Sequence, residues 1–314
     1  MSTFLNAGSM MIVLFITVAI GYLARKIHLV NDTFDDTLSK VVMKITCPAV
    51  VLDSVLSNSN LPENTVIWQI LGVSFLLFIP VVAIALIVPR FYRIPAKQKG
   101  GHEFTIAFSN VGLVGFAVCD AILGSDSILY LAIYNIICNL VLFSVGAWMV
   151  SRSGTVKLSR KEQLNYVRKN LVSPIMAACV LALIFALFHI TDSGPIGQTC
   201  ELLGAMTPAA AMLVIGSTLA KYEIKSMVTS GWAYITTFVR LLVIPAVVYF
   251  VSSFFIADSY VVASLVLINA MPAAMMGTTM SITYGGDLKS LSQGMFLTTI
   301  FSVITIPIVT TFIM

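Results

Sequence analysis

The chain has 314 residues, of which 58% are hydrophobic and only 10% are charged, and its mean hydropathy is +0.97. Soluble domains carry about 25% charged residues, so this sequence has too little charge for a water-exposed surface. The composition excludes an ordinary soluble protein and indicates a polytopic membrane protein. The five cysteines lie in apolar stretches without a CxxC pair, which predicts reduced packing residues and neither a metal site nor a cofactor.

Apolar runs that cross a bilayer as helices need roughly 17 to 25 residues. The sequence contains ten such runs, numbered here as segments 1 to 10. They lie at 7–24, 37–56, 66–89, 103–123, 127–150, 172–190, 197–219, 230–253, 259–284 and 289–313. The connections are short except for 151–171, so no extramembrane domain is predicted and the function is expected within the bilayer.

The basic residues are distributed unevenly among the connections. Fifteen of the 18 lysines and arginines follow segments 1, 3, 5, 7 and 9, whereas the alternate connections carry acids and no basic residue. Lys40 and Lys44 begin segment 2 on the same side, and only Arg240 lies mid-membrane. By the positive-inside rule, the basic connections are cytoplasmic and both termini lie on the outer side of the cytoplasmic membrane. This distribution does not favour a nucleic-acid partner, because the charges follow a membrane face.

The two halves of the chain resemble each other. ITCPAVVLDSVL of segment 2 matches AMTPAAAMLVIG of segment 7, and LLFIPVVAI of segment 3 matches LLVIPAVVY of segment 8. Asn110 falls opposite Asn269, and Asp126 falls opposite Asp287. Because each half has an odd number of segments, the second half enters the membrane inverted. The predicted organisation is a five-helix repeat at 1–150, a basic cytoplasmic loop at 151–171, and a second, inverted repeat at 172–314.

Segments 4 and 9 both carry an asparagine followed by residues that interrupt helices. These residues are Asn110, Gly112 and Gly115 in segment 4, and Asn269, Pro272 and Gly277 in segment 9. Corresponding broken helices in two inverted halves are typical of a transporter site. The freed backbone groups must line a protein cavity, and half-helix N-termini favour an anion. The alternative is a pair of ordinary kinks.

NVGLVG in segment 4 and NAMPAAMMG in segment 9, within ten segments, resemble the auxin efflux carrier family. That family includes bacterial malate and malonate permeases, and its fold resembles that of bile acid/sodium symporters. The resemblance implies that segments 4 and 9 cross at their breaks and form the substrate site. It also implies a scaffold of segments 1, 2, 6 and 7 that stays fixed or forms a homodimer, while the other segments move as an elevator. Segment 4 departs from the plant pattern, since its break has glycine but no proline.

Two charged residues inside the predicted membrane region have open roles. Arg240 lies about 15 Å deep in segment 8 and either neutralises a substrate carboxylate or pairs with an acid such as Asp53, Asp120 or Glu201. Asp120 follows the break of segment 4, where it is a candidate proton-coupling carboxylate or a paired or water-exposed acid. Tyr134, Asn135 and Asn139 form a polar patch for helix–helix hydrogen bonds or cavity lining.

The sequence thus predicts an all-α membrane protein with ten helices in two inverted repeats and crossing, broken helices 4 and 9. No GxSxG, HExxH or P-loop motif is present, which favours a secondary transporter over an enzyme or an ATP-driven pump. The expected substrate is a small organic acid anion such as malate, with protons or sodium as coupling ion and lipid as surroundings. The alternatives are a sodium-coupled bile-acid-type symporter, whose ligand cluster is not clear in the sequence, and a non-transporting sensor or channel.

Overall fold

The computed structural model describes residues 2–58, 61–192 and 194–313, and every regular element within these ranges is helical. Five of the described helices are long and apolar enough to cross a membrane, and a bent pair of helices raises the number to six. The protein is therefore an all-helical chain with several candidate spans. The ten-span inverted repeat stays a prediction, because several predicted segments are divided into shorter helices.

We number the helices in chain order. They are α1 (Ser2–Lys26), α2 (32–56), α3 (Asn64–Phe91), α4 (Ala96–Ala107), α5 (Val111–Leu123), α6 (Asp126–Ser153), α7 (Arg160–Leu171), α8 (Pro174–Leu187), α9 (Pro195–Ala220), α10 (Ile224–Met227), α11 (Gly231–Phe255), α12 (Ser259–Asn269), α13 (Met276–Tyr284) and α14 (Leu288–Ile313). Segment 4 is divided into α4 and α5, and segment 9 is divided into α12 and α13.

The predicted basic loop at 151–171 is largely helical. Helix α7 occupies the second half of this loop and begins with a capping box. The Ser159 side chain accepts from the Glu162 N–H, and the Glu162 side chain accepts from the Ser159 N–H. Helix α7 is charged and contains no buried residue. It meets the apolar helix α8 at an angle of 59°. This helix has a local cause, since the S-x-x-E signal of the capping box favours helix initiation.

Two of the long helices contain a π-helical turn just before a proline. In α2 the turn covers Val42–Thr46 and precedes Pro48, and in α11 it covers Val239–Val243 and precedes Pro245. Proline has no N–H and its ring collides with the preceding turn, so the helix accommodates it by widening. The turn in α11 has a functional consequence, because it contains Arg240.

Glycines allow the helices to pack tightly within two groups. In the first group, a Cβ on Gly21 of α1 would overlap the carbonyl oxygen of Leu213 in α9, and a Cβ on Gly216 would overlap that of Val18. In the second group, Gly100 of α4 lies against α6, and Gly294 of α14 lies against Thr105 of α4. Backbones in such close contact do not slide easily past each other. We call the groups body A (α1, α2, α9) and body B (α4, α6, α13, α14).

The contact of α5 with body A near residue 112 is softer. A Cβ on Gly112 of α5 would lie 3.0 Å from the terminal Cε of Met43 in α2, a flexible side chain rather than a backbone atom. The Cys47 thiol of α2 donates to the Gly112 carbonyl at 3.1 Å. A thiol is a weak donor, so this contact resists displacement less than the glycine-mediated contacts within each body.

Charged residues collect at one end of the helices. Lys221, at the end of α9, bonds to Asp32 at 2.9 Å and Asp35 at 2.7 Å, and Arg25 bonds to Asp32 at 2.7 Å. Arg152 pairs with the buried Glu103 in body B. These pairs join the ends of helices that precede or follow basic connections, as expected if those connections share one side of the membrane.

Candidate functional site

The two helix breaks meet each other in the interior. Helix α4 ends at Ala107 and α5 begins at Val111, while α12 ends at Asn269 and α13 begins at Met276. Between them, the Asn110 N–H donates to the Pro272 carbonyl at 2.8 Å, and the Ala274 N–H donates to the Phe108 carbonyl at 3.0 Å. This short antiparallel bridge, centred on Ser109 and Ala273, satisfies backbone groups that lipid cannot satisfy. We call residues 108–110 and 270–275 the crossover.

Arg240 holds the carbonyl ends of both preceding half-helices. Its guanidinium donates to the carbonyls of Asn269 at 2.9 Å, Ile106 at 3.1 Å, Met271 at 3.3 Å and Ala107 at 3.4 Å. Its side chain is fully buried. Helix C-termini carry partial negative charge and four free carbonyls, so a buried cation fits there. The ion pairs found among the described residues do not include Arg240; its described partners are carbonyls rather than the acids considered from the sequence.

Asn110 and Asn269, which the sequence aligns, occupy different places. The Asn110 side chain accepts from the Leu113 N–H at 3.4 Å and caps the start of α5. Asn269 instead ends α12, where its Oδ1 accepts from the Tyr134 hydroxyl at 2.9 Å and its Nδ2 donates to the Leu265 carbonyl. The difference arises because the second break is longer than the first. One asparagine therefore prepares a helix N-terminus, and the other fixes the crossover to α6.

A cavity of about 260 Å³ lies beside the crossover. Residues of α2, α6 and α8 form one part of its wall, and the first residues of α5 and α13 form the rest. Its polar lining is uncharged and comprises Ser39, Ser109, Asn110, Asn135, Asn139, Thr278 and Thr279. Helices α5 and α13 both point their N-termini towards the crossover, where the partial positive charge of the helix ends favours an anion. The cavity thus combines uncharged polar groups with a mainly apolar wall, lies close to two helix N-termini, and is lined by both bodies.

The other predicted site residues lie around this cavity in different ways. Gly112 lines it directly. A Cβ on Gly115 would collide with Ile268, and one on Gly277 would collide with Phe104, so both glycines permit close packing behind the crossover. Pro272 contributes its carbonyl to the bridge and borders a separate apolar groove. Asp120, near the end of α5, is not among the residues that line the cavity.

Several lining residues were missed as site residues from the sequence. Ser109 is 3% exposed, and its hydroxyl has no hydrogen-bond partner among the described residues. Thr278 and Thr279 belong to the first turn of α13. Their only sequence signal is a short polar residue within three positions of a helix breaker, a pattern that is common in membrane helices. Asn135 and Asn139 combine both roles weighed for them, since they line the cavity and hydrogen-bond locally.

Comparison with known proteins defines the class as a membrane transport protein. A family described as membrane transport protein matches residues 7–310. An uncharacterized transporter of Methanothermobacter thermautotrophicus is 23% identical over 97% of this chain and 98% of its own length. The uncharacterized transporter MJ1031 of Methanocaldococcus jannaschii is 22% identical over 94% and 95%. The uncharacterized transporter YfdV of Escherichia coli K12 is 26% identical over 63% of each chain.

The chain belongs to this membrane transport protein family, because the family match covers nearly its whole length. The family is that of the auxin efflux carriers, so the resemblance drawn from the motifs of segments 4 and 9 is confirmed.

Proposed function

We propose that this protein is a secondary active transporter that carries a small organic acid anion, such as malate, across the cytoplasmic membrane. The substrate binds in the crossover cavity. The observation that carries the proposal is the pairing of two helix N-termini with uncharged polar side chains in a mainly apolar, partly open cavity of small-molecule size. Malate-sized acids need hydrogen-bond donors for a carboxylate and acceptors for hydroxyl groups, and the asparagines, serines and threonines offer both.

The charge of the crossover supports an anion over a cation. Arg240 occupies the carbonyl ends of α4 and α12, which are the ends that attract cations. The amino ends of α5 and α13 are left next to the cavity. A transported cation therefore meets positive helix ends without a compensating acid in the cavity lining.

The two bodies support an elevator movement. Body A packs through backbone contacts at Gly21 and Gly216, and body B packs through Gly100 and Gly294. The Cys47–Gly112 hydrogen bond and the Met43 side chain join body A to α5, which follows α4 of body B in the chain. Movement of body B along body A breaks these weak contacts and preserves the glycine contacts within each body. In this proposal both termini are outside. The cavity faces the cytoplasm, because α13 leads from it to Thr155 and Val156, whose N–H groups donate to the carbonyls of Gly285 and Tyr284 and which lie in the connection 151–171.

Uptake into proteoliposomes tests the function. Radiolabelled malate, malonate and citrate are offered separately under an imposed pH gradient and under an imposed sodium gradient. Saturable uptake of at least one acid supports the proposal, and the gradient that drives it identifies the coupling ion. Absence of uptake for all three acids under both gradients overturns the small-dicarboxylate assignment.

A further inference from the structure

The crossover cavity has a limited supply of positive charge. Its lining within the described chain contains no lysine, arginine or histidine. The buried Arg240 donates to four carbonyls on the opposite side of the crossover. The remaining positive charge comes from the N-termini of α5 and α13, each equivalent to about half an elementary charge. Their sum is about one charge, which matches a monoanion and leaves a dianion with one charge uncompensated in a buried site.

The Ser109 hydroxyl is a second, independent feature of the same cavity. It is 3% exposed, lines the cavity, and has no hydrogen-bond partner among the described residues. A buried hydroxyl without a partner is unfavourable. A ligand group that donates to its oxygen, or accepts from its proton, removes this penalty.

We infer that dicarboxylic acids are carried in their singly protonated form. The ionised carboxylate lies at the two helix N-termini, and the neutral carboxyl group donates its proton to Ser109 Oγ. This inference rests on the proposed function and specifies its substrate. Each transported acid then moves with one negative charge and one proton, and the proton is held by the substrate rather than by a protein carboxylate. Asp120 takes no part, consistent with its place outside the cavity lining.

Among the described residues, the groups that face the cavity do not compete with the substrate for this proton. Cys138 on α6 is the titratable residue in the lining, and the thiols of Cys47 and Cys179 lie behind it on α2 and α8. On the crossover side, Tyr134 donates to Asn269, next to Arg240. None of these groups is a carboxylate that could take the proton from the substrate.

Binding of two probes to the purified protein in detergent tests the inference. Malonate has a second titration in the mildly acidic range, whereas monomethyl malonate stays a monoanion above the titration of its single carboxyl group. We expect the apparent dissociation constant of malonate to rise about tenfold for each pH unit above that titration, as its monoanion fraction falls. That of monomethyl malonate should stay constant. A pH-independent constant for malonate overturns the inference but leaves the transporter intact. No binding of either probe at any pH overturns the proposed function as well.

Two serine variants test the contact. Ser109→Ala should weaken malonate binding by about two- to tenfold, the equivalent of one hydrogen bond. The variant should fold, because a hydroxyl without a partner contributes nothing to the folded state. Ser74→Ala is the matched control, since Ser74 is also buried without a partner but lies in α3, outside the cavity lining. Equal malonate affinity for both variants and the natural protein overturns the contact with Ser109.

Discussion

Replacement of Arg240 separates the two roles that an intramembrane arginine can have. If Arg240 holds the crossover, Arg240→Leu removes hydrogen bonds from the ends of both α4 and α12. The two shortest, to the carbonyls of Asn269 and Ile106, measure 2.9 Å and 3.1 Å. Hydrogen bonds to a charged group contribute about 1.5–3 kcal/mol each, so their joint loss costs about 3–6 kcal/mol.

The leucine variant also regains the free energy that burial of the charge had cost. We therefore expect a net loss near the lower end, about 3 kcal/mol, which is a large part of typical protein stability. Arg240→Lys keeps the charge but loses the planar fork that reaches both helix ends. It should fall between the natural protein and the leucine variant.

The assay is the apparent melting temperature of the purified protein in detergent, followed by uptake of the acid. Thr237→Val is the matched control, because Thr237 is buried in α11 near Arg240 and its hydroxyl has no partner among the residues that the structure describes. That variant should melt like the natural protein. If Arg240→Leu also melts like the natural protein and only raises the KM for the acid, then Arg240 binds substrate and the role derived from its four carbonyl contacts is refuted.

Three further variants test other parts of the structure. Asn269→Ala should abolish uptake and also lower the melting temperature, because it leaves the buried Tyr134 hydroxyl without its acceptor; unaltered uptake would remove α12 from the site. Gly216→Val should lower stability by about 1–3 kcal/mol by overpacking the contact between α1 and α9, whereas Gly72→Val, which meets nothing within 4 Å, should not. The hydrogen bond from Lys221 lowers the pKa of Asp32 to about 2, so the pair stabilises the protein above about pH 4 and loses this effect as the pH falls towards 2. The stability difference between Asp32→Asn and the natural protein should close over that range; a constant difference would refute the pairing.

The helix breaks were predictable because their causes are local. Pro272 lies within the second break and cannot continue a helix, and Asn110 ends the first break and caps the helix that follows, whereas Gly112, Gly115 and Gly277 lie just inside the following helices. Both interruptions therefore occur within the segments where the residues indicated them. The equivalence of Asn110 and Asn269 was less predictable, since it depends on the length of each break. A pairwise sequence match does not distinguish a residue that begins a half-helix from one that ends it.

The partners of Arg240 were not predictable for a different reason. A sequence shows which carboxylates exist, but every residue has a carbonyl, and only the fold decides which carbonyls are unpaired at a helix end. The same limit applies to Ser109. The role of Ser109 depends on a cavity that α5 and α13 form together with α6. The residues of these helices are far apart in the chain.

In the proposed function, the placement of one arginine explains why the crossover selects an anion. Two broken helices bring two negative and two positive helix ends to one point, and the arrangement by itself favours neither cations nor anions. Arg240 neutralises the carbonyl ends of α4 and α12. The amino ends of α5 and α13 then remain available, and an anion is the ligand that completes the charge balance. An acid at the amino ends would have reversed the preference, so the selectivity resides in which pair of ends the protein itself occupies.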